Sequence, residues 1–321
     1  MCAAGIAQAA KPLEVYFIDT EGGQATLIVT PSKQSMLVDA GWPGFSGRDA
    51  DRIAQAAKSA GVKAIDYLIV THYHTDHVGG VPQLAAKLPV KNFVDHGPNH
   101  ETGKNADQLY KAYEETVAKG HRMSLKAGDT IPLKGVDVKV VTANGEGITT
   151  PGTPNPACTG MTYPEDPSEN ARSLGIILTY GKFRMIDLGD LTSRKELELV
   201  CPENRLGTVD VYLSTHHGLA ASNAKEIVQA LHPRVAIMNN GAKKGGSPQA
   251  WQNIKTSPGL EDLWQLHYAI AGKSENNSPE TLIANLDEKC EGKSLKLSAM
   301  PDGSFTVVNS RNKYSKTYPA R

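Results

Sequence analysis

Short apolar runs alternate with amphipathic stretches along the chain, and this alternation predicts the order of strands and helices. Residues 13–18 and 25–30 are rich in β-forming residues and are joined by a turn that contains Gly22 and Gly23, which predicts a hairpin. The other predicted strands are 35–41, 65–70, 91–94, 136–141, 173–180, 183–188, 209–214, 234–238, 294–299 and 304–309. The predicted helices are 49–60, 81–88, 107–119, 193–200, 224–231, 248–254 and 260–270.

The two halves of this order are alike in outline, because each runs from strands to helices. A strand, a helix and a strand in succession predict parallel βαβ units, with ligands at the carboxyl edge of the sheet. We therefore predict an α/β protein with four layers, an αββα sandwich in which two sheets face one another and helices cover the outside. No linker divides the chain, so we expect residues 13–321 to form a single domain.

The composition narrows the classes of partner. The chain has 34 basic and 34 acidic residues, so no overall field attracts nucleic acid or an anionic membrane. No apolar run approaches the roughly 18 residues that a membrane span requires. The expected partner is a small-molecule or phosphodiester substrate. Nucleic acid is not supported by the net charge, no membrane partner is predicted, and the oligomeric state is left open.

The N-terminal residues 1–12 are small and rich in alanine, and residues 7–9 match the A-x-A form of a signal-peptidase site. We expect the remainder of a trimmed export signal here, which predicts a periplasmic or secreted protein. The alternative is a frayed, Ala-rich start to a cytoplasmic protein.

The cysteines bear on the same question. They show no C-x-x-C spacing, so a structural zinc site is not predicted. One disulfide among Cys158, Cys201 and Cys290 would fit an oxidising compartment, and three free or buried thiols are the alternative. The segment 144–170 is longer than a structureless connection usually is. We expect it to be functional or to be tied down by a crosslink at Cys158.

The strongest chemical signal is the segment 70–80, VTHYHTDHVGG, which lies directly after a predicted strand and before a predicted helix. Residues two apart on an extended segment point the same way, so His72 and His74 can bind one cation, whereas Asp76 and His77, after the chain turns, face a second. Imidazoles and carboxylates suit Zn²⁺ first, with Mn²⁺ and Fe²⁺ as alternatives. A solvated loop that happens to be rich in histidine is the alternative reading.

Two further segments follow strands in the second half of the chain. Asp190 comes after the strand 183–188, and His216 and His217 come after the strand 209–214. Taken alone, Asp190 could be the N-cap of the next helix, and His216 could be a packed or capping histidine. His96, near Pro98, is expected to be a surface histidine and not a ligand, and the alternative is that it acts on the substrate from the end of the strand 91–94.

In these motifs and their order the sequence resembles the metallo-β-lactamase superfamily, and within it the hydrolase domain of competence DNA-uptake proteins of the ComEC type. The resemblance covers residues 13–238. It implies two divalent metal ions, with His72 and His74 on the first and Asp190 between the two. The ligands that it implies for the second ion are Asp76, His77 and His217.

The resemblance also implies a reaction. Two cations about 3.5–4 Å apart would supply a bridging hydroxide near neutral pH, and Asp76 or Asp190 would take the proton. His216 would contact the substrate or a ligand. A phosphodiester or phosphate ester is the favoured substrate, as in a nuclease-like enzyme. The alternatives are a carboxylic ester, lactone or β-lactam hydrolase, and a non-catalytic metal-binding module.

Two departures from the family pattern matter. No histidine occurs between His121 and His216, so the place of a third ligand to the first metal falls at Glu169 or Asn170. We therefore predict an asymmetric centre in which the first metal is short of a ligand. In addition, residues 246–248 read Gly-Ser-Pro where the competence branch has Gly-His-Pro, which weakens the expectation of nuclease activity.

Two lysines supply a local positive charge near these segments. Lys243 and Lys244 lie in the glycine-rich segment 240–246. They could contact a phosphate of the substrate, and a solvated turn is the alternative reading.

Overall fold

Twenty strands and seven helices form the part of the chain that the computed structural model describes, residues 10–321. The predicted signal-peptidase site at 7–9 lies outside the described residues. The strands are β1 (Leu13–Phe17), β2 (Thr26–Val29), β3 (Ser35–Val38), β4 (Ile65–Ile69), β5 (Val90–Asp95), β6 (His121–Ser124), β7 (Thr130–Ile131), β8 (Asp137–Ala143), β9 (Glu146–Gly147), β10 (Thr153–Pro154), β11 (Gly175–Tyr180), β12 (Phe183–Asp187), β13 (Glu203–Asn204), β14 (Val211–Leu213), β15 (Val235–Met238), β16 (Asp262–His267), β17 (Ile283–Asn285), β18 (Leu295–Ala299), β19 (Phe305–Asn309) and β20 (Ser315–Tyr318). The helices are α1 (Arg48–Ser59), α2 (Thr75–Val78), α3 (Val81–Ala85), α4 (Lys104–Val117), α5 (Ser193–Val200), α6 (Lys225–Leu231) and α7 (Pro248–Lys255).

Two nine-stranded sheets contain most of these strands. The first sheet has the order β20-β19-β18-β1-β2-β3-β4-β5-β6, and the second has the order β17-β16-β15-β14-β12-β11-β8-β7, with β9 paired to β8. Each sheet is parallel in one part, from β3 to β6 in the first and from β12 to β17 in the second. The carboxyl ends of neighbouring parallel strands meet at one edge, where ligands collect in α/β folds.

The hydrophobic core has three parts, which correspond to the three contacts between four layers. In β1 the buried residues Leu13, Val15 and Phe17 alternate with less buried ones, so one face of the first sheet is apolar and packs on the second sheet. The opposite face of the first sheet packs against α1, α3 and α4. The outer face of the second sheet packs against α5, α6 and α7. The predicted αββα sandwich is therefore confirmed.

The helix predicted at 260–270 is wrong, because this segment contains β16. Residues Leu263 to His267 are all buried, since β16 lies between β15 and β17 in the parallel part of the second sheet. A strand that is covered on both faces shows a continuous apolar run in place of alternation, and such a run does not distinguish a strand from a buried helix. The strands β6, β17 and β20 and the two-residue strands β9, β10 and β13 were not predicted either.

The segment 144–170 is tied down by a disulfide between Cys158 and Cys201, whose Cα atoms lie 5.8 Å apart. A backbone hydrogen bond holds the same two segments together, because the Asn155 backbone N–H donates to the Pro202 carbonyl oxygen at 3.0 Å. Cys290 is free and half-buried. Within residues 10–321, no helix combines the length and the apolar composition that a membrane crossing needs.

Removal of the disulfide should destabilise the fold. The bridged residues are 43 positions apart, and closing a loop of that size in the unfolded chain corresponds to about 2–4 kcal/mol of stability. We expect the double variant Cys158→Ala, Cys201→Ala to lose that much free energy of unfolding in urea denaturation. In reductant, the free energy of unfolding of the wild-type chain should approach that of the variant. The free energy of unfolding of the variant should not change with reductant. Identical wild-type midpoints with and without reductant would contradict the bridge.

Candidate metal centre

The predicted ligands follow the carboxyl ends of parallel strands in both sheets. In the first sheet, the segment from His72 to His77 follows β4, which pairs in parallel with β3. In the second sheet, Asp190 follows β12 and His217 follows β14, and these two strands also pair in parallel. Because the sheets face one another, the two edges place their loops on the same cleft.

Gly79 and Gly80 allow the turn that follows His77 to approach the segment after β3 closely. A Cβ atom on Gly80 would lie 2.0 Å from the Ala40 carbonyl oxygen, and one on Gly79 would lie 2.4 Å from the Pro43 ring. Backbone hydrogen bonds hold the contact, with the Ala40 amide donating to the His77 carbonyl oxygen at 2.9 Å. The glycine pair therefore fixes the position of His77 relative to β3.

Four buried side chains converge in this cleft: Asp76, His77, Asp190 and His217, whose ligand atoms all lie within 4.8 Å of one another. The Nε2 atoms of His77 and His217 are 3.2 Å apart, and Asp76 Oδ2 lies 3.1 Å from His217 Nε2. Nitrogen and oxygen ligands about 2.0–2.2 Å from a tetrahedral zinc ion lie roughly 3.3 Å from one another. The spacing of these atoms is thus that of ligands around a common cation.

The chemistry of the donors also fits a divalent cation. Asp190 Oδ1 is buried and makes no hydrogen bond among the described residues, with His217 Nε2 3.4 Å away. A charged oxygen in such a place is costly unless a cation contacts it. The set of imidazoles and carboxylates suits Zn²⁺, Mn²⁺ or Fe²⁺.

His72 and His74 form a pair beside this cluster. His72 Nε2 lies 3.0 Å from His74 Nδ1 and 3.9 Å from Asp190 Oδ2, and the same oxygen of Asp190 lies 3.2 Å from His77 Nε2, so Asp190 connects the pair to the other members of the cluster. His216 Nε2 lies 3.3 Å from the same oxygen of Asp190. The structure therefore brings all seven predicted site residues into one cleft, while their roles as ligands or catalysts stay predictions.

Glu169 and Asn170, the two candidates for the place of a third ligand to the first metal, differ in their contacts. The carboxylate of Glu169 accepts hydrogen bonds from His96 Nε2 at 2.9 Å, from the His100 amide and from the Tyr73 amide. Asn170 Oδ1, by contrast, is buried without a partner among the described residues. His96 was expected at the surface, and this is wrong: it is buried against Glu169, which no sequence pattern indicated.

Two carboxylates orient the histidines, and sequence reasoning gave neither of them this role. Asp39 Oδ2 lies 2.6 Å from His77 Nδ1 and accepts from Thr71 Oγ1 at 2.7 Å, which leaves Nε2 of His77 directed into the cluster. Glu101 Oε1 lies 2.8 Å from His74 Nε2, which leaves Nδ1 on the side of His72. Such contacts fix the tautomer and the ring orientation of a metal ligand. Asp39 directly follows β3, the strand that pairs with β4 before the motif, and a carboxylate near the end of a predicted strand is a usable signal, whereas Glu101 lies in a loop without one.

The backbone at the centre adopts conformations that non-glycine residues avoid. Asp39 has φ of 59°, and His216 and His217 both have φ of 55°. Residues in this left-handed region cost of order 1–3 kcal/mol each and are found mostly where function requires them. Hydrogen bonds hold the histidine turn, since the His216 amide donates to the Gly189 carbonyl oxygen and Asn223 Nδ2 donates to that of Thr215, both at 2.9 Å.

The carboxylates of the cluster and the imidazoles of His77 and His217 stabilise one another's charged forms. Burial opposes ionisation of Asp76, but His77 and His217 outweigh it and hold the pKa of this carboxyl well below its usual value. The same balance, led by His217, lowers the pKa of Asp190. Burial alone would lower the pKa of His77, yet the neighbouring carboxylates raise it well above its ordinary value. In contrast, burial lowers the pKa of His216 to about 4, so this imidazole is uncharged at neutral pH.

Comparison with known proteins agrees with this geometry. The family model of the metallo-β-lactamase superfamily matches residues 18–166, which include the whole His-x-His-x-Asp-His segment. Over these residues the chain is similar to the metallo-β-lactamase superfamily. Its members are generally metal-dependent hydrolases, and the fold implies divalent metal ions at the cluster described above.

ComE operon protein 3 of Bacillus subtilis is 31% identical over 183 residues, which are 56% of this chain and 20% of that protein. The chain thus aligns with about a fifth of this relative. Among solved structures, a metallo-β-lactamase with a HARLDQ motif from Cronobacter sakazakii is 19% identical, with 64% of this chain and 78% of that chain covered and a TM-score of 0.39. The diiron β-hydroxylase CmlA from Streptomyces venezuelae is 14% identical, with 80% and 48% covered and a TM-score of 0.41. No residue role is taken from either structure.

The carboxylate of Asp39 should control metal affinity without being a ligand. Asp39→Asn keeps the side-chain size and tolerates the left-handed backbone. We expect it to weaken metal binding by about 10–100-fold, because the carboxylate charge that orients the His77 ring is lost. Metal retention against a competing chelator, measured by mass spectrometry, tests this. Asp51→Asn is the matched control, since Asp51 is exposed and its ion-pair partner within residues 10–321 is Lys87. Equal affinities in the two variants would contradict the orienting role.

Proposed function

We propose that the chain is a metal-dependent hydrolase whose substrate is a phosphodiester or a phosphate ester. Six side chains would hold two divalent cations, His72 and His74 on one side, Asp76, His77 and His217 on the other, and Asp190 between them. The cations, when bound, would lower the pKa of a water molecule and neutralise negative charge on the ester. Among the protein groups, the carboxylates of Asp76 and Asp190 would accept the proton.

The observation that supports an anionic substrate is the position of Lys244. Its ammonium group contacts Asp76 Oδ2 at the metal cluster and lies 4.8 Å from the centre of the Trp42 ring. The side chain is partly exposed, so a substrate in the cleft can reach it. A lysine at such a place is a point charge suited to a phosphate oxygen.

Lys243, its neighbour, has a different environment. It is exposed and pairs with Glu288 at 2.5 Å, away from the cluster. Of the two lysines in the glycine-rich segment, therefore, only Lys244 supports the proposal, and the positive charge that it provides is local in a chain whose net charge is zero.

His216 is a second side chain with access to the substrate. Its Nε2 faces Asp190 Oδ2 at 3.3 Å, and its Nδ1 lies 3.2 Å from Ser222 Oγ. An uncharged imidazole held in this way can donate one hydrogen bond and accept another. We propose that it positions the substrate or a proton beside Asp190.

We also propose that the protein acts outside the cytoplasm. The support is the bridge between Cys158 and Cys201, because disulfides persist mainly in oxidising compartments. A small phosphate ester or phosphodiester is the proposed partner, and the neutral net charge gives no support to a long nucleic acid as substrate.

Removal of the Lys244 charge should impair turnover of anionic substrates selectively. We expect Lys244→Ala to lower kcat/KM for bis-p-nitrophenyl phosphate by about tenfold to a hundredfold, the equivalent of one charge-assisted hydrogen bond. Lys243→Ala should leave kcat/KM within about twofold, because Lys243 does not face the cluster. Metal content is measured in both variants, so that an effect on the centre itself is recognised. Equal losses in the two variants would show that Lys244 has no specific role.

A substrate panel decides between the proposal and its alternatives. The full chain, loaded with metal, is assayed with bis-p-nitrophenyl phosphate, nitrocefin and a set of neutral lactones, and we expect release of p-nitrophenol. Silence on the phosphodiester with turnover of a lactone or of nitrocefin would favour a carboxylic ester, lactone or β-lactam hydrolase. Fewer than one metal per chain after reconstitution, with no hydrolysis of any substrate, would favour a non-catalytic metal-binding module.

A further inference from the structure

A second group of metal-binding side chains lies apart from the centre described above. It consists of Asp19, two residues after β1, His267, the last residue of β16, and Cys290, in the connection between β17 and β18. Their potential ligand atoms also lie within 4.8 Å of one another. Asp19 and His267 are buried, and Cys290 is half-buried.

The distances within this group match a small coordination site. His267 Nε2 lies 2.8 Å from Asp19 Oδ1, Cys290 Sγ lies 3.2 Å from Asp19 Oδ2, and Sγ lies 3.9 Å from Nε2. Glu21 Oε1 is 3.8 Å from the same sulfur, so a fourth ligand is within reach. A thiolate, an imidazole and a carboxylate that converge in this way favour Zn²⁺ over Mg²⁺ or Ca²⁺, which prefer oxygen ligands alone.

A cationic side chain accompanies the carboxylates here, as in the main cluster. Arg52 donates to Asp19 Oδ2 at 3.1 Å and to Glu21 Oε1 at 3.1 Å, and its Nη2 lies 3.8 Å from Cys290 Sγ. This arrangement parallels the contact of Lys244 with Asp76. The guanidinium is partly exposed, so it can turn to solvent when another cation binds.

We propose that Asp19, His267 and Cys290 bind one Zn²⁺, with Glu21 as the fourth ligand. This ion would be distinct from the cations of the main centre, since none of these four residues belongs to that cluster. The site does not depend on the proposed substrate.

The proposed ion would connect two segments that contact the main centre, the loop after Asp19 and the end of β16. The loop that starts at Asp19 leads to Gln24, whose backbone N–H donates to the Asp76 carbonyl oxygen at 3.2 Å. On the other side, the His267 carbonyl oxygen accepts from Asn240 Nδ2 at 2.9 Å, next to the loop that carries Lys244. A metal between Asp19 and His267 would therefore hold both loops against the cleft.

Cobalt substitution tests the proposal, because only a thiolate ligand gives a near-ultraviolet sulfur-to-cobalt charge-transfer band. The ligands of the main centre are imidazoles and carboxylates, and Cys290 is the free cysteine of residues 10–321. We expect the full chain, titrated with Co²⁺ without reductant after its free thiols are counted, to develop this band to a final intensity of one cobalt–thiolate bond per chain. Zn²⁺ should then abolish the band.

Three variants make the test specific. Cys290→Ser should remove the charge-transfer band while the visible cobalt bands of the main centre persist, and it should contain one zinc ion fewer per chain. Asp19→Asn should weaken formation of the band by tenfold or more. Cys2→Ser, as the control, should keep the band. A wild-type chain with a free thiol that binds cobalt without the band, or a band that survives in Cys290→Ser, would overturn the proposal.

Discussion

Buried carboxylates require a compensating positive charge, and this requirement organises the cleft. Asp76 and Asp190 are buried with their oxygens within 4.8 Å of the imidazoles of His77 and His217. Carboxylates in such surroundings are stable as ions only when cations or hydrogen-bond donors contact them. The imidazoles and the ammonium of Lys244 meet part of this need, and divalent cations would meet it fully. The left-handed turn at His216 and His217 and the close contacts of Gly79 and Gly80 serve the same requirement, because they hold the imidazoles near the carboxylates.

Much of this centre could be predicted from the sequence because its chemistry is local. His72, His74, Asp76 and His77 lie within six residues, and their order relative to a strand limits where they can point. Asp190 and His217 follow strands that their apolar runs predict. The αββα architecture follows from the same alternation of runs, and it was predicted despite the error at β16.

Other features depend on contacts that no local pattern encodes. His267 lies inside the segment mistaken for a helix, and its partner Asp19 is 248 residues away in the sequence. Lys243 and Lys244 are adjacent and chemically alike, yet the turn of the chain directs only Lys244 to the cluster. The burial of His96 depends on Glu169, which is 73 residues distant. Tertiary packing decides each of these cases, and the residue type alone does not.

The division of the centre between the two sheets links metal binding to the stability of the whole fold. Asp76 and His77 follow a strand of the first sheet, whereas Asp190 and His217 follow strands of the second. His217 lies 140 residues beyond His77 in the chain. An unfolded chain cannot offer these ligands together, so a cation that binds them binds the native state alone. At a free concentration a hundred times its dissociation constant, such a ligand contributes about 2.7 kcal/mol to the free energy of unfolding. The concentration of metal in the surroundings therefore sets how firmly the two halves of the sandwich are held together.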